Sequence, residues 1–585
     1  MCAIAGIFSS DTNLLQIDHE QVLKTMRHRG PDDAYHCTIE NIHLYHSRLA
    51  ILDLDSRSKQ PFFSNSKNTV ITFNGEIYNY KELKEDLAVP FRTTSDTEVL
   101  VEFLEKKKIS ALPKLDGMFS FASYSVSQRE LLLAVDPAGK KPMYTYYDGN
   151  IFAFASEIKM LAAMGLPLIP SENARFDFLF FGYAPAPESF YKNIRKLPAG
   201  HYQLVPNGNP QKIQSYFQLP RETLTISYRE AQEKLVTLMT EATRKRLISD
   251  RPLGCFLSGG LDSSIVSLEA SKLLSTPLKT FSIAFKQSPD AALYDESYYA
   301  QRVSDLLKSE HTTFEMNDSF DEFNHLIRHF DEPFSDSSCF PTALLCKNTS
   351  QQIKVVLSGD GGDELFGGYL RFKASLWAER FSPMTPLLKA FSYVPILPQA
   401  LTGKIKRFQN ALHEKPLQRL ALWNSYYSFQ DIAALSKQAE ERIRRGLAAW
   451  DEKLHGLSLQ EKILHFNFHH YLQNDLLVKV DRMSMRYGVE VRSPFLDKAL
   501  IQFAFELPSK FKFDYFKTKK ILKDSYRGSL SSEIVDRRKK GFGFPLDIFM
   551  REKENSIKNS KYLPVVTNSS KEFALLCLSK FQDIK

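Results

Sequence analysis

The chain has 585 residues, 43% hydrophobic and 25% charged, with a formal net charge of +8. This balance excludes a globally disordered or fibrous chain and supplies apolar material for more than one core; at roughly 100–200 residues per domain it predicts two to four domains. Six cysteines, at positions 2, 37, 255, 339, 346 and 577, form no CxxC pair, which excludes a disulfide framework and a cysteine-rich zinc site and points to a reducing compartment.

Taken in order, the first 200 residues read as strand-rich. Short apolar segments recur at 3–8, 42–45, 69–73, 118–124, 130–135 and 151–155. Asn74-Gly75, Asp116-Gly117 and Asp148-Gly149-Asn150 read as the turns between them. Helical stretches near 18–28 and 95–108 interrupt, a pattern that suits two sheets with helices outside. The turn-rich string PNGNP at 206–210 marks a boundary. Beyond it, apolar strands at 252–257, 278–285, 311–316 and 353–357 alternate with helices near 262–274, 295–308 and 319–330. That alternation implies βαβ units and a parallel sheet. From about residue 370 the pattern is mostly helical.

MCAIAGIFSS lacks the basic start of a signal peptide, and no apolar run reaches the ~18 residues of a bilayer span. A cytoplasmic location with no membrane partner is expected. The basic stretches at Lys517, Lys519, Lys520 and Lys523 and at 537–540 suit a solvated face or a polyphosphate site. No nucleic-acid-binding motif accompanies them, so no nucleic-acid partner is expected.

Cys2 stands directly after the initiator methionine. Removal of Met1 would place a thiol and a free α-amine on one residue, with ordinary pKa values near 8.5 and 8. The amine could then accept the thiol proton and activate the nucleophile. Downstream come RHRGPDD at 27–33, HSRLAILDL at 46–54, NGEIYNY at 74–80 and TTSDTEV at 93–99. In order and spacing these segments resemble the class II glutamine amidotransferase domain, an N-terminal-nucleophile (Ntn) hydrolase of αββα form. The resemblance makes Cys2 the nucleophile, with the Asn74 side chain and the Gly75 N–H as oxyanion donors. It assigns glutamine binding to Arg48, Ile51, Leu52, Asn74, Gly75, Glu76 and Asp96: Arg48 to clamp the α-carboxylate, Asp96 to pair with the α-ammonium. Simpler roles stand beside these: a hairpin turn for Asn74-Gly75, a surface ion pair for Arg48, and a Ser95-x-x-Glu98 capping box at Asp96. Ala3 departs from the family, which usually carries glycine after the nucleophile.

Two Gly-rich strings follow strands in the second half: SGGLDSS at 258–264 and SGDGGDE at 358–364. Small residues let backbone N–H groups face an anion at a helix N-terminus. No GxxxxGK[ST] string occurs, so this is not a Walker loop. SGGLDSS resembles the pyrophosphate loop of N-type ATP pyrophosphatases, which cleave ATP to AMP. SGDGGDE, with DEPFSDSS at 331–338 and KVDRMSMRYGVEVRSPFLD at 479–497, resembles the synthetase domain of the asparagine synthetase family.

That resemblance implies ATP contacts at Phe256, Leu257, Ser258, Gly259, Gly260, Asp262, Ser263, Ser264, Ile283, Ser358 and Gly359. Asp262 and Asp363 would hold Mg²⁺, a cation of oxygen ligands. Asp360, one methylene shorter than the glutamate of some relatives, would serve acyl-adenylate formation, and Lys539 or its neighbour Lys540 would face the activated acyl phosphate. The fold expected is an Ntn αββα sandwich at 1–205, a linker at 206–228, a Rossmann-like parallel sheet with a helical extension at 229–550 and a tail at 551–585. The small molecules implied are glutamine, aspartate and ATP; a homodimer is left open. Three other readings remain: an amidotransferase of this architecture acting on a sugar acid or peptide carboxylate, a ring-closing relative (against which Cys2 argues), and a non-catalytic binding protein.

Overall fold

Residues 3–8 place Ile4 and Phe8 on one face of a strand and Ala3, Ala5 and Ile7 on the other, as the period of two dictates. In the computed structural model, which describes residues 2–9, 17–285, 294–316, 320–381, 408–537, 543–544, 546 and 569–581, both faces are buried. The first strands are Ala3–Ser9 (β1), Asp33–Ile39 (β2), Ile42–Arg48 (β3), Phe62–Phe63 (β4), Thr69–Ile77 (β5) and Gly117–Ser125 (β6). Glu130–Val135 (β7), Tyr144–Tyr147 (β8), Ile151–Ala155 (β9), Ile194–Lys196 (β10), His201–Pro206 (β11) and Gln214–Ser215 (β12) follow. They form two six-stranded antiparallel sheets, ordered β10-β8-β9-β1-β3-β2 and β12-β11-β7-β6-β5-β4.

Ile4, Phe8 and Leu44 of one sheet meet Val70, Tyr124 and Leu133 of the other in the core between them. On the outer side of the first sheet, Ala5 and Tyr45 pack with Val22 and Met26 of α1 (His19–Met26). On the outer side of the second, Phe73 and Phe121 pack with Leu100 and Phe103 of α2 (Asp96–Lys107). These are the four layers expected.

Asn74 and Gly75 do not form the expected turn. Both lie inside β5, Gly75 opposite Phe119, with its backbone so close to β6 that a Cβ would sit 2.0 Å from the Met118 carbonyl oxygen. Its φ of +152° suits glycine. Likewise Gly117 opens β6 and pairs with Ile77.

The second sheet system is parallel throughout. Leu253–Phe256 (β13), Lys279–Ala284 (β14), Glu310–Glu315 (β15), Val355–Leu357 (β16) and Glu490–Arg492 (β17) take the order β15-β14-β13-β16-β17. Chain order reverses between β13 and β16, the place where open α/β sheets bind ligands at the carboxyl edge. Both Gly-rich strings leave the sheet there, opening α3 (Leu261–Leu273) and α4 (Gly362–Phe366). Farther on, a π-helical stretch at Phe468–Leu476 runs into α5 (Leu477–Met485). Helix α6 (Lys520–Tyr526) then returns to the carboxyl edge. Among the described residues no helix is long and apolar enough to cross a membrane.

Candidate active sites

Cys2 lies at the start of β1, 7% exposed, in the wall of a narrow pocket shared with Arg48, Ile51, Leu52, Gly75, Glu76 and Asp96. The Cys2 backbone N–H donates to Asn74 Oδ1 at 3.0 Å, and the Cys2 carbonyl accepts from Arg29 Nε at 3.2 Å. With its oxygen so engaged, the Asn74 amide has an Nδ2 that is buried and without a hydrogen-bond partner. A buried orphan donor is expensive unless something accepts from it. Burial raises the Cys2 thiol pKa.

Arg48 borders the pocket, but its guanidinium is engaged with the loop that follows. Nη1 donates to the Asp55 carbonyl at 2.9 Å, and Nη2 donates to the carbonyls of Leu52 and Asp53. Asp96 opens α2, where its Oδ2 accepts from the Ile77 N–H at 2.8 Å; burial pushes its pKa up to about 6. The capping box is half formed: Ser95 accepts from the Glu98 N–H, while the Glu98 carboxylate takes the N–H groups of Arg92 and Thr93. Burial, with repulsion from Glu490, holds Glu76 well above the usual carboxylate range. Arg492 Nη2 lies 3.4 Å from Glu76 Oε1.

At the carboxyl edge of the parallel sheet is a cavity of about 390 Å³. Of the residues expected at ATP, Phe256, Leu257, Ser258, Gly260, Asp262, Ser263, Ile283, Ser358 and Gly359 border it. Gly259 and Ser264 do not. Gly259, at φ +69°, presses against Tyr299 and Ala300, where a Cβ would come within 2.4 Å of backbone. Ser264 Oγ donates to the Gly260 carbonyl at 2.7 Å, bracing the turn from within.

Asp262 and Asp363 converge: Lys519 Nζ lies 2.5 Å from Asp262 Oδ2 and 2.5 Å from Asp363 Oδ1. Asp262 Oδ1 is buried without a hydrogen-bond partner. Two carboxylates around one cation position, one with a spare oxygen, fit the donor set of a magnesium ion. Two glycines make the room: a Cβ on Gly362 would lie 2.5 Å from Asp262 Cγ, and one on Gly368 would lie 1.8 Å from Asp363 Oδ1. Asp360 borders the same cavity. Lys539 and Lys540 lie outside the described residues.

Charged groups outside the named ATP and metal positions also reach this cavity, among them Lys519 and Arg537 of the basic stretches that suit a polyphosphate site. Lys519 does so from a left-handed backbone (φ +52°) at the head of α6. Lys479 donates to Asp336 Oδ2 at 2.8 Å and Ser338 Oγ at 2.6 Å, and Arg537 donates to Glu296 Oε1 at 2.6 Å. The strings DEPFSDSS and KVDRMSM contained the Asp336–Lys479 pair, but pairing across 143 positions has no local signature.

Between the pockets runs a buried ion-pair network. Arg29 binds Glu157 at 2.8 Å and Asp481 at 2.7 Å; Lys141 joins Asp481 at 3.2 Å, and Arg482 joins Glu157 at 2.8 Å. His28, Glu157 and His329 are close enough together to ligate a metal. However, the Glu157 carboxylate already faces Arg29, Arg482 and Lys159, the last at 2.6 Å, so a further cation would be repelled.

An αββα sandwich with an N-terminal thiol, joined to a parallel sheet whose two Gly-rich turns meet at its switch point, defines a glutamine amidotransferase coupled to a nucleotide-dependent synthetase. The glutamine amidotransferase domain family matches residues 1–217, and the asparagine synthase family matches 234–558. Asparagine synthetase [glutamine-hydrolyzing] 1 of Bacillus subtilis (strain 168) is 28% identical over 576 residues, covering 95% of this chain and 89% of its own. The putative asparagine synthetase [glutamine-hydrolyzing] 2 of Methanocaldococcus jannaschii is 33% identical over 522 residues, covering 83% of this chain and 98% of its own. The chain belongs to the asparagine synthase family.

Proposed function

We propose that this protein makes asparagine from aspartate with glutamine as nitrogen donor: ATP, L-aspartate, L-glutamine and water give AMP, diphosphate, L-asparagine and L-glutamate. The family assignment, over both halves of the chain, carries this reading. The residue roles follow from it. Cys2, freed of Met1, attacks the glutamine carboxamide. The orphaned Asn74 Nδ2 and the Gly75 N–H receive the oxyanion, and Asp96, Glu76 and the Arg48 loop hold the amino-acid end. Ammonia leaves, and water cleaves the thioester to glutamate.

In the second pocket the side-chain carboxylate of aspartate attacks the α-phosphorus of ATP, giving β-aspartyl-AMP and diphosphate. SGGLDSS cradles the departing diphosphate with backbone N–H groups. Phe256, Leu257 and Ile283 form the apolar part of the nucleotide's wall, and Asp360 serves the adenylation. Asp262 and Asp363 would hold Mg²⁺, which neutralises phosphate charge when bound. Lys539 is proposed to face the acyl phosphate. Ammonia then displaces AMP, having crossed between the halves shielded from water. The working division is a glutaminase half at 1–205, a linker at 206–228 whose first part adds β12 to that half's second sheet, a synthetase half at 229–550 and a tail at 551–585, in a cytoplasmic enzyme.

Purified protein incubated with glutamine, MgATP and aspartate is expected to yield asparagine, AMP and diphosphate. Formation of ADP, or turnover independent of aspartate, would overturn the reading. Cys2→Ala should lose glutamine-dependent synthesis and keep synthesis from ammonium.

A further inference from the structure

Between the pockets lies a buried cation that the roles above leave unused. Lys140, in DPAGKKP at 136–142 after β7, comes from the glutaminase half, yet it is only 4% exposed. Its Nζ donates to Ser493 Oγ at 2.8 Å, just past β17 of the parallel sheet. Ser493 Oγ is 3.1 Å from Ser358 Oγ, and Ser358 Oγ donates to Asp360 Oδ2 at 2.6 Å.

The protons fix the direction of this chain. An ammonium only donates, so Ser493 accepts from Lys140. Ser358 spends its single proton on the Asp360 carboxylate, so it accepts from Ser493. The result is one run from ammonium through two hydroxyls to a carboxylate, each bond polarising the next. Among the described residues no carboxylate pairs directly with Lys140. Burial lowers its pKa to about 8, and Asp360 is foremost among the charges that hold it up. An ammonium stripped of water with one neutral partner is costly, and this chain is its link to negative charge. Ser358 and Asp360 border the ATP cavity and Lys140 does not, so Lys140 acts on the cavity through them.

We propose that Lys140, lent by the glutaminase half, is a positioning residue of the adenylation site, fixing Asp360 through Ser493 and Ser358, so that the synthetase pocket is complete only when the two halves are docked. The inference rests on the reading that Asp360 serves adenylate formation. An aspartate has little reach, and the Ser358 bond decides how its carboxylate is turned.

The test is isotope exchange between diphosphate and ATP in the presence of aspartate and Mg²⁺, which follows adenylation without any nitrogen donor. Lys140→Met keeps the length of the side chain and removes its charge. The exchange kcat is expected to fall roughly 10- to 100-fold, the scale on which a small misplacement acts, with KM for ATP within about twofold because Lys140 does not line the cavity. Ser493→Ala should do the same, and the double variant should lose no more than the worse single one. Wild-type kcat in either single variant, or losses that multiply, would overturn the proposal. If Lys140→Met fails to fold, Ser493→Ala carries the test alone. Asp360→Asn separates the two layers: near-normal exchange there sinks the Asp360 reading itself, whereas loss in Asp360→Asn with normal exchange in Lys140→Met sinks only the role of Lys140.

Discussion

Arg29 and Asp481 form a two-pronged ion pair, Nη1 to Oδ2 at 2.7 Å and Nη2 to Oδ1 at 3.0 Å, joining positions 452 residues apart. The same guanidinium holds the Cys2 carbonyl and Glu157. The base of the glutaminase pocket and the helix α5 of the synthetase half are thereby fastened at one point.

Arg29→Met should therefore lower stability by about 3–5 kcal/mol, because it leaves buried carboxylates short of a cation. The urea-unfolding midpoint measures this. Burial alone would raise the Asp481 and Glu157 pKa values, but the cations outweigh it: Arg29 and Lys141 for Asp481, Lys159 and Arg482 for Glu157. Both carboxyls end below their ordinary values. Their stabilisation is thus complete above the unfolded pKa values near 4 and is lost as pH falls through the lower folded ones. In Arg29→Met the acid-unfolding midpoint should move to higher pH.

Asp96 behaves in the opposite sense. Burial lifts its pKa to about 6, so in the free protein it gains a proton as pH drops below that value. Pairing with an ammonium requires the anion. The kcat/KM for glutamine should fall about tenfold per unit below pH 6, and Asp96→Asn should abolish that limb. The same substitution should raise KM for glutamine about tenfold to a hundredfold, the worth of one charge-assisted hydrogen bond. A flat profile between pH 5 and 7 in the unmodified protein would contradict this.

Gly362→Ala puts a methyl group where the Asp262 carboxylate now lies, at 2.5 Å from Cγ. The carboxylate must swing away from Asp363. ATP affinity, read by calorimetry with MgATP, should weaken at least about tenfold. Unchanged affinity would mean that the two carboxylates do not need each other.

Lys519→Met removes the ammonium that now separates Asp262 from Asp363. The ligand-free protein should lose several degrees in its melting temperature, at about 2–4 °C per kcal/mol for domains of this size. Added Mg²⁺ or Mn²⁺ should restore more of that loss than it adds to the unmodified protein, since the cation refills a position the lysine has vacated.

The recurring short apolar segments of the first half and the strand–turn–helix rhythm around SGGLDSS pointed to two sheets followed by a parallel one, while the four-layer αββα form came from the family resemblance. Strands without a continuous apolar run were not legible: Asp33–Ile39, Tyr144–Tyr147 and His201–Pro206 interleave polar residues, and Gln214–Ser215 and Glu490–Arg492 are too short for a period to show. Asn74-Gly75 misled in a specific way, because the dipeptide that favours a hairpin also suits a strand whose neighbour leaves no room for a Cβ. The candidate site residues within Gly-rich strings could be named. Lys519 stood in a basic stretch read as suiting a polyphosphate site, though its place between Asp262 and Asp363 rests on a partner 257 positions away; the link from Lys140 to Ser493, 353 positions apart, had no local signature.

Arg492 serves as a party wall. Its backbone carbonyl accepts the Ser358 N–H at 2.8 Å on one side, and on the other its guanidinium stands 3.4 Å from Glu76 and donates to the carbonyls of Arg246 and Ile248. Severing the polypeptide in the region 206–228 would not yield two self-sufficient enzymes. One fragment would uncover Leu49, Ile51, Tyr78 and Met118 and the other Val355 and Met485, apolar side chains buried against one another in the intact chain, while Glu76 and Arg492 would lose each other, so each fragment should be poorly soluble by itself and co-expression of the two should rescue both.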